Sequence, residues 1–377
     1  GTGADMRIGV PREIKVHEYR VGLVPAGVRE LIDGGHEVIV QAEAGMGIGL
    51  SDQAYITAGA EIVDSAADVF EQADLVVKVK EPQASEVKHI REGQVILAYL
   101  HLAADPDLTR ALLDSGCIGI AYETVTDDRR GLPLLAPMSE VAGRMAIQVG
   151  AHYLEKEQGG SGVLLAGVPG VLPANVVVIG GGVSGTNAAR MALGQQARVT
   201  VIDNDIRKLD ELDRFYGREL DTLYSTADHI EAAVARADLV IGCVLRPGAS
   251  APKLVGRDMV RRMSNAGVLV DVAIDQGGCF ETSRPTTHAD PVYKEEGCIH
   301  YCVTNMPGAV ARTSTFALTN ATMRFVLDLA DKGLRQALAD DPHLLAGVNL
   351  AQGTVTHKGV ARSLGYTAKA PQETLGL

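Results

Sequence analysis

The chain has no tryptophan, and aromatic residues make up only 4% of its 377 positions. Cores built around large rings are therefore excluded, and with 46% hydrophobic residues the interior must be mostly Val, Ile, Leu and Ala. Such a composition suits α/β proteins with buried parallel sheets. Cysteine is also scarce. Cys117, Cys243, Cys279, Cys298 and Cys302 are odd in number and scattered, which excludes a disulfide framework and fits a reducing cytoplasm. Cys117 and Cys243 lie beside or within apolar strands and read as small buried residues. Cys298 and Cys302 bracket His300, but a second ligand pair is missing, so no metal is expected. No apolar run approaches the ~20 residues of a membrane span, and no charged-then-apolar leader opens the chain. A membrane protein is not expected. The net charge of −12, with no Lys/Arg block, argues against a nucleic-acid partner and reads as ordinary solubility.

Glycine, by contrast, is abundant and placed with purpose. Val176–Ile179 are four consecutive β-branched residues, the mark of a strand buried on both faces. Gly180, Gly182 and Gly185 follow as G-x-G-x-x-G, and a helical pattern opens at once. The first glycine permits a tight turn, the second lets a pyrophosphate approach the backbone, and the third lets helix pack on strand. The helix N-terminus turns unpaired N–H groups and a partial positive charge toward the phosphates. A second apolar strand, Val199–Ile202, ends on Asp203, about twenty residues beyond the turn. That carboxylate accepts hydrogen bonds from ribose hydroxyls and repels a 2′-phosphate, so NAD is favoured over NADP. A glycine-rich connector with no ligand is the bland alternative, but the strand, helix and acid together favour a dinucleotide site.

The length suggests two domains. Short strands and helices alternate through the first third. Strands are expected at Arg7–Val10, Glu37–Val40, Leu75–Val79, Val95–Leu100 and Ile118–Tyr122, and helices at Pro25–Ile32, Ser65–Gln72 and Asp107–Leu113. Ser139–Glu157 reads as a helix crossing between domains, and Gly159–Pro173 as a loop. A second βα series runs from Val176 through Val199–Ile202, Leu239–Cys243, Val268–Val272 and Cys298–Val303. Thr313–Leu338 is helical without a sheet of its own, and docking it on the first domain is the economical arrangement. The tail after Pro342 carries no strong signal. The fold class expected is α/β, with two doubly wound parallel-sheet domains of Rossmann type separated by a cleft. The boundaries are 6–136 plus 312–377 for a substrate domain and 137–311 for a nucleotide domain.

In open parallel sheets, ligands bind off the carboxyl ends of the strands. Arg20, Lys80, His101 and Glu123 each follow a strand of the first series. An arginine clamps a carboxylate with two parallel hydrogen bonds, a lysine grips the same group or polarises a carbonyl, and a histidine exchanges protons near neutrality. Singly, each reads as readily as a surface ion pair, a solvated strand end or a structural histidine; their shared placement is what favours a site. In the second series Asp275 precedes two glycines in VDVAIDQGG, a place for a turn residue or for close approach of a ligand. GCVLRPG and VTNMPGAV are further strand-to-turn segments on the nucleotide side.

Together these residues resemble the alanine dehydrogenase family. IGVPREIKVHEYRVGLVP, VKVKEP, LHLAA, AYETV, LPLLAPMSEVAGRMA, VVIGGGVSGTNAARMA, DVAIDQGGCFETSRPTTH and NMPGAVARTSTFALTNAT carry the likeness in order from Arg7 to about Thr322. The NAD-binding subunit of transhydrogenase is a related family with the same fold. The resemblance implies that Arg20 and Lys80 bind pyruvate, that His101 and Asp275 are catalytic, and that NAD contacts Ser139, Gly180, Gly182, Val183, Ser184, Gly185, Asp203, Lys208, Ser225, Val244, Leu245, Ile274, Asp275, Arg284, Asn305 and Met306. It also implies a substrate domain made from both chain ends, a homohexamer, and the substrates L-alanine, or pyruvate with ammonia. Some family members carry an acid and a histidine in the helix spelled VLDLADKG here; this chain has Asp328 and Lys332, and lysine is a poor metal ligand at neutral pH.

The expected reaction is NAD-dependent, reversible oxidative deamination of L-alanine to pyruvate and ammonia. A transhydrogenase-type subunit would need no carboxylate clamp, a 2-hydroxy acid dehydrogenase would not require ammonia, and a non-enzymatic NAD-binding regulator would have no use for the polar strand-end set.

Overall fold

The computed structural model describes residues 5–246, 250–263 and 266–377. Buried, β-rich stretches become strands in chain order: β1 (Arg7–Val10), β2 (Glu37–Gln41), β3 (Glu61–Val63), β4 (Leu75–Val77), β5 (Val95–Ala98), β6 (Ile118–Ala121), β7 (Asn175–Ile179), β8 (Arg198–Asp203), β9 (Leu220–Tyr224), β10 (Leu239–Gly242), β11 (Val268–Asp271), β12 (Val292–Glu295), β13 (Cys298–Tyr301), β14 (Val348–Ala351) and β15 (Thr354–Val355). The chain divides into two compact units. One comprises the chain up to Met138 together with Val310–Leu377; the other is Ser139–Ala309.

In the first unit the strand order is β15-β14-β6-β5-β4-β1-β2-β3. β1 to β6 are mutually parallel, whereas β14 runs antiparallel to both β6 and β15. The second unit has the order β12-β13-β11-β10-β7-β8-β9, parallel except for β12. Each sheet therefore reverses direction of growth between its first and fourth strands, at β1/β4 and at β7/β10. That reversal opens a crevice at the carboxyl ends, where ligands of doubly wound sheets sit. β4, β5, β6, β10 and β11 are buried along their whole length, as expected of parallel strands covered on both faces.

Helices follow their local signals. Pro25 and Pro106 open helices at Pro25–Asp33 and Pro106–Ser115. Ser65 caps Ala66–Gln72 by accepting the Asp68 N–H at 3.1 Å. The crossing helix runs Ala136–Tyr153, slightly earlier than the sequence suggests. The expected helix over Thr313–Leu338 is instead two, Ala311–Lys332 and Leu334–Asp340, because Gly333 takes φ 78° between them. On the longer helix Leu318, Phe325 and Leu329 form a buried stripe, and Met323 lies against Gly27 of the first unit's opening helix. All five cysteines are free and buried.

Candidate active site

In the second unit, β7 delivers the chain into the glycine turn. Gly180 takes φ 105°, and a Cβ there would lie 2.9 Å from the Cys243 carbonyl carbon. A Cβ on Gly185 would lie 1.6 Å from the Gly180 oxygen, so the helix Val183–Gly194 approaches the turn as only glycine allows. Over Gly182 there is space, with the Lys208 Nζ 4.0 Å from the Cβ position. The cradle thus combines an open backbone, a helix N-terminus and one ammonium, which suits a pyrophosphate. Asp203, at the end of β8, accepts the Gly181 N–H on Oδ2 at 2.6 Å and the Asp205 N–H on Oδ1 at 2.7 Å. This fixes a negative charge beside the turn. The Ser225 N–H binds the Asp203 carbonyl at 3.0 Å, and Ser184 Oγ donates to the Ser139 carbonyl at 2.9 Å. Val183 and Leu245 expose their apolar side chains, as a site for a flat aromatic ring requires. Val244 is half-buried. Pro247 and Gly248 of GCVLRPG lie outside the described residues.

Asp275 sits on the single turn Ile274–Gln276 beyond β11, exposed, while Ile274 beside it is buried. The turn is pinned from within by Asp271, which accepts the Ala273 N–H at 3.1 Å, the Cys279 N–H at 2.8 Å and the Ser283 hydroxyl. Burial holds Asp271 above the usual carboxylate range, against those three donors. Gly277 and Gly278 take φ 96° and 86°, and Lys253 Nζ donates to both of their carbonyls. Arg284 stacks its guanidinium 3.9 Å over the Tyr293 ring. Asn305 is left-handed at φ 57°, a conformation its short amide tolerates, and the adjoining Met306 is buried.

In the first unit, Arg20, Lys80 and His101 follow β1, β4 and β5, three adjacent strands. Arg20 is 2% exposed. Its Nε and Nη2 donate to the two carboxylate oxygens of Glu18 at 2.8 and 2.6 Å, and Nη1 lies 3.3 Å from Met138 Sδ. Burial opposes both charges, yet the pair holds Glu18 below the usual carboxylate range and Arg20 above its own. Lys80 is half-buried, and its ammonium makes no hydrogen bond or ion pair among the described residues. Burial first, then the charge of Lys15, hold it below the usual lysine range. His101 is exposed and left-handed (φ 49°, ψ 41°), a strained state for a residue with a Cβ. Glu123, after β6, supports this kink: its Oε1 accepts the N–H of Leu100 at 3.1 Å and of His101 at 3.4 Å, while its Oε2 is buried without a hydrogen-bond partner. Burial raises the Glu123 carboxyl, and His101 acts against that.

Several residues of this surrounding were missed by the sequence reading. Glu18 is the lateral clamp of Arg20. Lys78 is buried and salt-bridged to Glu13 at 2.9 Å and to Glu86 at 3.3 Å. The signal for Lys78 was present: a lone cation inside the apolar run LVVKV has to be buried with a partner. Among the described residues no group of three or more His, Cys, Asp or Glu side chains is placed to hold a metal.

Two doubly wound units, one with a dinucleotide cradle and the other with cations at its strand ends, define a dinucleotide-dependent oxidoreductase. The comparisons with known proteins name its kind. The alanine dehydrogenase/PNT N-terminal domain matches residues 9–142, and the C-terminal domain of the same family matches residues 146–358. The chain is 61% identical to the alanine dehydrogenase of Halomonas elongata over 96% of its length and 97% of the relative's. It is 55% identical to that of Bacillus subtilis, covering 96% and 95%. Among solved structures, an L-alanine dehydrogenase of 49% identity superposes with a TM-score of 0.93, covering 96% of this chain and 99% of the other. A transhydrogenase from Sinorhizobium meliloti, 24% identical, shares the fold with a TM-score of 0.80 over 93% of this chain and 99% of its own. The chain belongs to the alanine dehydrogenase/PNT family.

Proposed function

We propose that this protein is an NAD-dependent L-alanine dehydrogenase, interconverting L-alanine and pyruvate with ammonia. The observation that carries the reading, beside the family, is the pair of cations beyond adjacent strands: a rigid guanidinium held by Glu18 and a half-buried ammonium that makes no hydrogen bond or ion pair among the described residues. A small carboxylate would be gripped by that ammonium beside the guanidinium. Gly180, Gly182, Val183, Ser184 and Gly185 would hold the pyrophosphate, with Lys208 above it. Asp203 would hold the ribose, and Ser139, Ser225, Val244, Leu245, Ile274, Arg284, Asn305 and Met306 would complete the NAD site. NAD, when bound, supplies the acceptor and donor of hydride at the substrate's α-carbon.

The chain's own groups do the rest. Arg20 and Lys80 hold the carboxylate. His101 takes the proton of the water that adds to the imine carbon, and returns it as ammonia leaves. Asp275 orients the water or ammonia and stabilises the cationic imine. A transhydrogenase-type subunit has no use for the clamp. We further propose a homohexamer working in the cytoplasm; no helix among the described residues is long and apolar enough to cross a membrane.

The test follows NADH absorbance with pyruvate, with and without ammonium. Oxidation that depends on ammonium is expected. Oxidation of equal rate without it would assign a hydroxy-acid reaction instead, and none at all would sink the reading. Sizing by light scattering checks the hexamer.

A further inference from the structure

The buried cluster around Lys78 is not needed to explain the fold. Three charged side chains, Glu13, Lys78 and Glu86, are almost wholly withdrawn from water. Such clusters contribute little net stability, because desolvation consumes most of the attraction. What distinguishes this one is where its members bond next. Glu13 spends one oxygen on the Lys78 ammonium at 2.9 Å and the other on the backbone: its Oε1 accepts the Lys80 N–H at 2.8 Å and the Val79 N–H at 3.3 Å. Glu13 belongs to the segment between β1 and the helix Pro25–Asp33, which also carries Arg20. One carboxylate therefore ties the loop bearing the guanidinium to the strand end bearing the ammonium. A third tether reaches the same turn from β6's end, where the Tyr122 hydroxyl donates to the Lys78 carbonyl at 2.7 Å. Glu86 differs: it meets Lys78, and its other oxygen accepts the Gln83 N–H at 2.9 Å, four-residue-helix business with no bond to Lys80.

We infer that Glu13 is a positioning residue for substrate binding: by holding the backbone of Lys80 while neutralising Lys78, it sets the spacing between Lys80 and Arg20 and leaves Lys80 as the ammonium offered to a carboxylate. The flexible lysine stem makes this necessary, since a point charge on a four-carbon chain is placed only as well as its backbone is. The inference rests on the proposed function for its kinetic part.

The experiment compares Glu13→Gln with Glu86→Gln in the full chain. Both remove one charge from the same buried cluster, so both are expected to lower Tm. Only Glu13→Gln is expected to raise the pyruvate KM, about tenfold, with kcat and the NADH KM within about twofold of wild type. In a Lys80→Ala background Glu13→Gln should have no further effect on that KM, as coupled residues are non-additive. Amide hydrogen exchange, which needs no turnover, should show the Val79 and Lys80 amides accelerated about tenfold in Glu13→Gln and unchanged in Glu86→Gln. Should Glu13→Gln fail to fold, Glu13→Asp keeps the charge and shortens the reach, and the same pattern is expected. An unchanged pyruvate KM and unchanged exchange, or an equal KM rise in Glu86→Gln, would overturn the inference. Wild-type protein without ammonium-dependent turnover would sink the functional reading instead, and the exchange comparison would still decide whether Glu13 holds Lys80.

Discussion

Lys80 is the residue whose chemistry depends most on its surroundings. Its ammonium is depressed by burial and by Lys15, so it loses its proton at a lower pH than an ordinary lysine. The sign follows directly: below its pKa the charge is present and grips a carboxylate, and as pH rises through that pKa the grip is lost. The pyruvate KM should therefore climb on the alkaline side, starting below the usual lysine range. Lys80→Arg, which stays charged throughout, should abolish the climb while raising KM at neutral pH by a few-fold, because a fork does not fit a point-charge site. Steady-state kinetics from pH 7 to 10 check this; an alkaline climb surviving in the arginine variant would assign the titration to another group. The placement of Lys80 and His101 was legible from sequence because each closely follows an apolar strand, and Arg20 lies on the long segment beyond the first one. Their partners Glu18 and Glu13 were not, since a carboxylate two residues away or across a loop leaves no periodicity to read.

At the level of elements, the strand–turn–helix from Asn175 to Gly194 is the most completely determined piece of the molecule. Gly185→Ala would push a methyl carbon into the Gly180 carbonyl. The helix start must then move off the turn, and NADH affinity measured by fluorescence titration should fall more than about tenfold, while pyruvate-site variants leave it alone. Unaltered affinity would show that the helix can retreat without cost to the cradle. Legibility differs sharply among the other elements. β7, β10 and β11 announce themselves as apolar runs, being covered on both faces, and β8 by its buried Val199, Val201 and Ile202. In β9, at a sheet edge, only Leu220 is buried, so the stretch offers no apolar run to read. β14 is as long and as fully buried as β10 and β11, but it carries Asn349, whose side chain accepts from Thr124 Oγ1 at 2.9 Å. A polar residue satisfied only by a distant partner hides a strand from any local reading.

For the whole molecule, the first unit is assembled from both chain ends, and its core depends on the later one. Leu350, Val355, Val360 and Ala361 pack in the same cluster as Val69, Phe70, Ile96 and Leu112. Truncation after Leu345 would remove this contribution and uncover the edge of β6. Loss of soluble protein, or a Tm lowered by more than ten degrees by calorimetry, is expected, and a truncated chain as stable as the full one would show that these residues only decorate the core.

That arrangement has a temporal side. During synthesis β6 leaves the ribosome long before β14, whose first pairing residue, Val348, faces Ile120. At ordinary elongation rates the wait is roughly ten to fifty seconds, ample for the intervening Ser139–Ala309 unit to emerge and collapse first. The nascent first unit must meanwhile carry an open apolar seam, and holding that seam away from other nascent chains until the final stretch of polypeptide arrives becomes a task for the cell rather than for the sequence.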